Sequence, residues 1–321
     1  MIPSTSELIK KYSLNAKKSL GQNFILDKNF TDKIARAAGD LTDSIVLEVG
    51  PGPSSLTCSI LDAGAKKLIV IEKDSRCIAA LSELKKFYGE RLEIVEADAV
   101  GFFKHPPSFN HPPSPSRGRS RMRVDFMDDE TPSLQNLMSR MRVDFMDNET
   151  PSLQLKIIAN LPYNIGTILL FKWLEIINEA RSTKHEARIS SMHLMLQKEV
   201  VERIVAKPDE KHYGRLAVMV NFLCETRMLF EVNKSVFTPS PKVTSAIIEI
   251  IPREKPLFDV EFKKLERVVA AAFNQRRKML RSALKPVFKN TEEILREEKI
   301  NPELRAENLQ IEEFCRLAKR L

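Results

Sequence analysis

Ile45-Val46-Leu47-Glu48-Val49-Gly50-Pro51-Gly52 decides the fold. Its first five residues are a short run rich in β-branched side chains, and it ends in two glycines separated by a proline. Such a run suits a strand buried on both faces of a parallel sheet. Glycine at a strand-to-helix turn lets backbone approach a ligand, because no Cβ intervenes. A lone Gly-x-Gly is equally a plain tight turn. Ser55 occupies the place of the third glycine in the dinucleotide fingerprint, which disfavours a pyrophosphate-bearing cofactor.

Outward from this run the pattern repeats. A helical stretch covers about 54–63, and a second buried strand is LIVIE, 68–72. Another helix spans roughly 75–87. Strands follow at LEIVEAD (92–98), KIIAN (156–160) and MHLMLQ (192–197), with a helix at 168–177 between the last two. Alternating strands and helices predict an α/β fold with a parallel sheet. YGRLAVMVNFL (213–223) reads as a helix. Residues 225–232 and 244–251 read as antiparallel neighbours at the sheet edge, and the chain is helical from about 259. This predicts a catalytic domain over 1–252 and a helical domain over 256–321, with Pro252 and Pro256 flanking the linker.

Residues 105–154 break the pattern. HPPSFNHPPSPSRG is followed by SRMRVDFMDDETPSLQ (120–135), which recurs as SRMRVDFMDNETPSLQ (139–154). Two near-identical copies read as an in-frame insertion and a mobile surface excursion, since a solenoid needs at least three repeats. A partner-binding loop is the alternative.

Composition narrows the class. The 321 residues are 43% hydrophobic and 29% charged, an ordinary globular balance. Cys58, Cys77, Cys224 and Cys315 form no CxxC pair, and two loop histidines (His105, His111) make no ligand set, so no metal is expected. The N-terminus has no apolar core of a secretory signal and carries lysine without arginine, unlike a transit peptide. No run of about 18 apolar residues exists to cross a membrane. A cytoplasmic monomer is the expectation. The net charge of +8 suits a polyanionic partner, and residues 267–291 hold seven basic side chains and no acid. A solvated helix face is the plainer reading of such a run.

Strand ends carry the chemistry. Glu72 ends the second strand, where a carboxylate can accept both hydroxyls of a ribose. Asp98 ends the third, where it can accept from an adenine amine. An adenosine without phosphates therefore fits, with an amino-acid tail over Gly50. Asn160-Leu161-Pro162-Tyr163 ends the fourth. The Asn160 side-chain oxygen and the Leu161 carbonyl can hold both hydrogens of an exocyclic amine as it attacks a methyl sulfonium. Pro162 stiffens the turn, and Tyr163 offers a face for stacking a base. In isolation this string is a common strand-ending turn.

Asn160-Leu161-Pro162-Tyr163-Asn164-Ile165-Gly166-Thr167 resembles the motif of the ribosomal RNA adenine dimethyltransferases. SLGQNFILD (19–27) is similar to the family's N-terminal cofactor segment. MLQKEVVERIVAKP (195–208), YGRLAVMV (213–220), VFTPSPKVTSAI (236–247) and AFNQRRKMLRSAL (272–284) resemble its small-subunit branch. The resemblance implies a Rossmann-like class I methyltransferase domain, with a mostly parallel sheet and an antiparallel edge, plus a small all-helical C-terminal domain. It implies S-adenosylmethionine held by Asn23, Ile25, Gly50, Glu72, Asp98 and Asn160, and Phe237 near the target base opposite Tyr163; an ordinary core position is the alternative reading of Phe237. It implies N6,N6-dimethyladenosine made on two adjacent adenines in the 3′-terminal hairpin of 16S rRNA in the small ribosomal subunit. Lys198, Arg203, Arg215, Arg276, Arg277, Lys278 and Arg281 are the expected RNA contacts. Pro53 and Gly166 depart from the family's pattern, the latter standing where serine is usual. Two alternatives stay open: a large-subunit methyltransferase of the macrolide-resistance type, and a non-catalytic ribosome-assembly or transcription factor on the same fold.

Overall fold

The computed structural model describes residues 2–16, 22–103, 154–182 and 188–321. The expectation of a mobile insert at 105–154 lies outside these residues, save for Gln154.

The Ile45 run forms β2 (Ser44–Val49), every residue of it buried. Around it stand β3 (Lys67–Glu72), β4 (Leu92–Glu96), β5 (Gln154–Asn160), β6 (Arg188–Gln197), β7 (Cys224–Val232) and β9 (Ser245–Pro252). They make one seven-stranded sheet in the order β4-β3-β2-β5-β6-β9-β7. The first five are parallel; β9 lies antiparallel to both β6 and β7. This is the predicted α/β sheet with its antiparallel edge. From β2 the chain steps outward to β3 and β4, then returns to β5 on the other side of β2. That reversal opens a crevice beyond the carboxyl ends of β2 and β5, where open α/β sheets bind ligands.

Helices cover both faces. On one side are α2 (Lys28–Ala37), α3 (Ser55–Asp62) and α4 (Ser75–Tyr88); on the other is the helix Gly166–Ser182, whose Trp173 is fully buried and meets Phe103 edge-on at 5.7 Å. Among the elements with no counterpart in the sequence reading are α2 and two that bear on the cleft. Helix α1 (Thr5–Tyr12) is held by a capping box between Ser4 and Glu7, and Lys11 and Tyr12 both bond Glu83 of α4 at 2.7 Å. Strand β1 (Phe24–Ile25) pairs antiparallel with β8 (Phe237–Thr238), with Ile25 opposite Phe237.

After β9 come helices Phe262–Asn274, Leu280–Ala283, Thr291–Glu297 and Ile311–Lys319. The first buries Phe262, Leu265, Val268, Val269 and Ala272, a spacing that puts all five on one face. These side chains share one apolar cluster with the sheet residues Leu194, Ile248 and Ile250. The C-terminal helices therefore pack onto the α/β layer through continuous core. Tyr213 adds a hydrogen bond of 2.9 Å to the Leu309 carbonyl.

Candidate active site

One cleft lies at the carboxyl ends of β2, β3, β4 and β5 and encloses about 940 Å³, counting the part open to solvent. Asn23, Ile25, Gly50, Glu72, Asp98, Asn160, Leu161, Pro162 and Tyr163 all line it. Residues expected from four separate strand ends and the N-terminal segment thus converge on one cavity.

The glycine loop forms its floor. Gly50 and Gly52 have φ of +68° and +56°, which L side chains rarely adopt. A Cβ on Gly52 would meet the Phe24 ring at 3.1 Å, so β1 lies close over the loop. A Cβ on Gly50 would sit 3.7 Å from Pro162, which brings the ends of β2 and β5 together. Pro53, a departure from the family's pattern, also lines the cleft, and Ser54 after it takes φ +73° with its hydroxyl buried and unpartnered.

Acids line the far side. Glu72 is 6% exposed; its Oε1 accepts from the amides of Lys73 (2.7 Å) and Asp74 (2.9 Å), and its Oε2 accepts from Gly52 (3.3 Å). Burial raises its pKa against the pull of those donors. Glu48 is 1% exposed and accepts from the Thr57 hydroxyl at 2.7 Å. Burial pushes its carboxyl up to about 8, and the charge of Glu72 works in the same direction. Asp98 is more open. Its Oδ1 caps the short helix Ala99–Phe102 through the Gly101 amide, and its Oδ2 pairs with Lys73 at 3.0 Å. The Lys73 bond holds its pKa below the ordinary carboxylate value.

On the β5 side, Asn160 Nδ2 donates to the Asn23 carbonyl at 3.2 Å. That bond commits the donor end of the amide and leaves Oδ1, the acceptor end, facing away from Asn23. The Leu161 side chain is buried and its amide bonds Met195 of β6. Tyr163 is half-buried; its hydroxyl lies 2.6 Å from Ser245 Oγ, and burial raises the phenol's pKa, so it remains protonated. Gly166 opens the helix that follows. A Cβ there would come within 2.7 Å of Leu196 Cδ2, so a serine at this position would require Leu196 to move.

Phe237 does not line the cleft. It is 4% exposed and packs in the apolar cluster with Ile25, Val232 and Ile247, and its strand pairing with Ile25 joins it to the site. The expected RNA contacts divide in two. Lys198 pairs with Glu231 (2.6 Å), Arg215 with Glu266 (2.8 Å), Arg276 with Glu307 (3.1 Å) and Arg281 with Glu303 (3.9 Å). Arg203, Arg277 and Lys278 are exposed and pair with no carboxylate among the described residues. Lining residues that the sequence reading did not single out include Glu48, Lys73 and Phe24. For Glu48 a signal existed: it is the one charge inside an otherwise apolar strand.

A model of the ribosomal RNA adenine dimethylase family matches residues 13–321. The chain belongs to that family. Ribosomal RNA small subunit methyltransferase A of Allorhizobium ampelinum is 42% identical over 322 residues, covering 100% of this chain and 98% of the relative. Its namesake in Paramagnetospirillum magneticum is 43% identical over 321 residues, covering 100% and 95%. Among solved structures, a dimethyladenosine transferase from Plasmodium falciparum aligns with a TM-score of 0.61 at 25% identity, covering 92% of this chain and 95% of that one. The 23S rRNA methyltransferase ErmE aligns with a TM-score of 0.58 at 23% identity, covering 93% and 99%, and shares the fold. As a ribosomal RNA adenine dimethylase, the protein is a class I methyltransferase dependent on S-adenosylmethionine.

The cleft suits that cofactor. Its floor is a loop whose two glycines hold positive φ and leave the backbone open to a ligand. Its walls carry the buried Glu72 carboxyl, the Asp98 carboxylate held in its charged form by Lys73, and no buried cation among the described residues, which complements a ligand rich in donors and bearing a sulfonium and an ammonium. Among those residues no group of three or more His, Cys, Asp or Glu could hold a metal, and no helix is long and apolar enough to cross a membrane.

Proposed function

We propose that this enzyme methylates the N6 amines of two adjacent adenines in the 3′-terminal hairpin of 16S rRNA, giving N6,N6-dimethyladenosine during small-subunit biogenesis. The observation that carries the reading is the convergence of Gly50, Glu72, Asp98 and Asn160–Tyr163 on one cleft at the β2–β5 switch. The full-length relatives named small subunit methyltransferases support the choice of subunit over the macrolide-resistance alternative. Intact Glu72, Asp98, Asn160 and Tyr163 speak against a non-catalytic factor.

The geometry supports the following residue roles. Gly50 and Gly52 admit the cofactor's amino-acid tail, Glu72 accepts from its ribose, and Asp98 accepts from its adenine amine. Asn23 and Ile25 close over it. S-adenosylmethionine supplies a methyl group on a sulfonium. Asn160 Oδ1 and the Leu161 carbonyl accept the two hydrogens of the target amine, so the nitrogen lone pair is directed and no strong base is required. The contribution of these groups is orientation and electrostatics. Tyr163 offers its ring to the extruded adenine. A stacking role for Phe237 requires its ring to leave the apolar cluster, at a cost of roughly 1.5–3 kcal/mol. Arg203, Arg277 and Lys278, which pair with no carboxylate among the described residues, lead the contacts to RNA, and the helices over 256–321 form the RNA-binding module. The acting species is a cytoplasmic monomer.

Tritiated methyl transfer to unmethylated ribosomal subunits tests the reading. Label on small-subunit RNA, released on digestion as dimethyladenosine, is expected. Label confined to large-subunit RNA, or RNA binding without label, refutes it.

A further inference from the structure

Ser245 is fully buried and opens β9, where it is paired on both sides: with Gln197 of β6 and with Val232 of β7. Just before it, the Thr244 carbonyl accepts from the Lys198 amide at 2.9 Å. Its Oγ is therefore a fixed point of the sheet, 2.6 Å from the hydroxyl of Tyr163. Tyr163 itself belongs to the turn between β5 and the helix Gly166–Ser182, with its ring half-buried at the cleft.

We propose that Ser245 is a positioning residue for methyl transfer, holding the far end of the Tyr163 ring so that its face is set before the target base arrives. A ring attached only at Cβ has a choice of rotamers. Tethered at the hydroxyl as well, it has surrendered that choice in the free enzyme, and the ordering cost no longer falls on the complex. The tether also joins the β5 turn to the antiparallel edge of the sheet, so the platform for the base depends on a strand that contributes nothing to the cleft lining. The inference rests on reading Tyr163 as the platform for the target adenine.

The test is a double-mutant cycle on the full-length chain, using the same transfer assay and cofactor titration. Ser245→Ala and Tyr163→Phe each break the bond, the second without touching β9. Each is expected to lower kcat/KM for RNA about threefold to tenfold, with cofactor affinity unchanged. The double variant is expected to be no worse than the weaker single variant. Losses that multiply, single variants as active as the unaltered protein, or a matching loss of cofactor affinity would overturn the inference. An unaltered protein that labels no small-subunit RNA overturns both this inference and the functional reading beneath it. An active protein whose losses multiply overturns the positioning role alone.

Discussion

Glu48→Gln is expected to leave stability unchanged in acid and to raise it progressively as pH increases. Burial lifts the Glu48 carboxyl from an ordinary 4.5 to about 8. Between those values the folded protein keeps a proton that the unfolded chain has released. The stabilisation from that proton is fully present below 4.5 and is lost as pH rises through 8. At 1.36 kcal/mol per unit, the whole loss is on the order of 5 kcal/mol, a large share of a domain's usual margin of about 5–15 kcal/mol. Glutamine has nearly the shape of the protonated acid and can accept from Thr57 in the same way, but it never has to ionise in the core. Urea unfolding of both proteins at pH 5, 7 and 9 reads the difference directly. The two are expected to lie within about 1 kcal/mol at pH 5, with the variant several kcal/mol ahead at pH 9. A gap that does not change with pH would refute the reasoning, because only an ionising group at this position produces the slope.

Asn160→Ala is expected to cut turnover roughly 100-fold, the scale seen when one oriented polar group is removed from a reacting centre, with cofactor affinity nearly intact; equal losses in single-turnover rate and in cofactor binding by calorimetry would remove its catalytic role. Replacing Arg277 and Lys278 with alanine should lower the slope of log affinity against log salt by about 1.4, at about 0.7 per charge lost on single-stranded RNA. The same change at Arg276 and Arg281, already paired with Glu307 and Glu303, should alter it less, and equal slopes from the two pairs would show that the acids do not compensate. Gly52→Ala places a Cβ at positive φ against the Phe24 ring, and is expected to cost about 1–2 kcal/mol and to weaken cofactor binding; an unchanged melting temperature and affinity would contradict the close approach.

The parallel strands were legible because strands buried on both faces leave unbroken apolar runs, and the glycine loop and strand-end acids stand at the tips of those runs. What stayed hidden depends on partners far along the chain. Helix α1 has only Leu8 buried, and it rests on Glu83 some seventy residues away. Strand β1 is two residues long and has no periodicity to read. Whether Phe237 faces the cleft or the core is decided by its pairing with Ile25, which no local pattern announces. Two of the seven bases over 267–291, Arg276 and Arg281, are paired, because Glu307 and Glu303 follow the stretch in sequence and fold back onto it. Glu48 has no role legible from its place beside the glycine loop, since a charge in a strand ordinarily marks a face turned to water.

The pairing of β1 with β8 also fixes when the cleft can close. A two-residue strand cannot sustain itself, and Phe24 finds its partner in Thr238, more than two hundred residues later. As the chain leaves the ribosome, at roughly 5–20 residues per second, β2, β3 and β4 can associate as soon as they emerge, and β5 and β6 can join them afterwards. The clasp over the glycine loop waits until β8 is out. A nascent chain shorter than that has the floor of the cleft and most of its walls, but nothing to fasten its first segment in place.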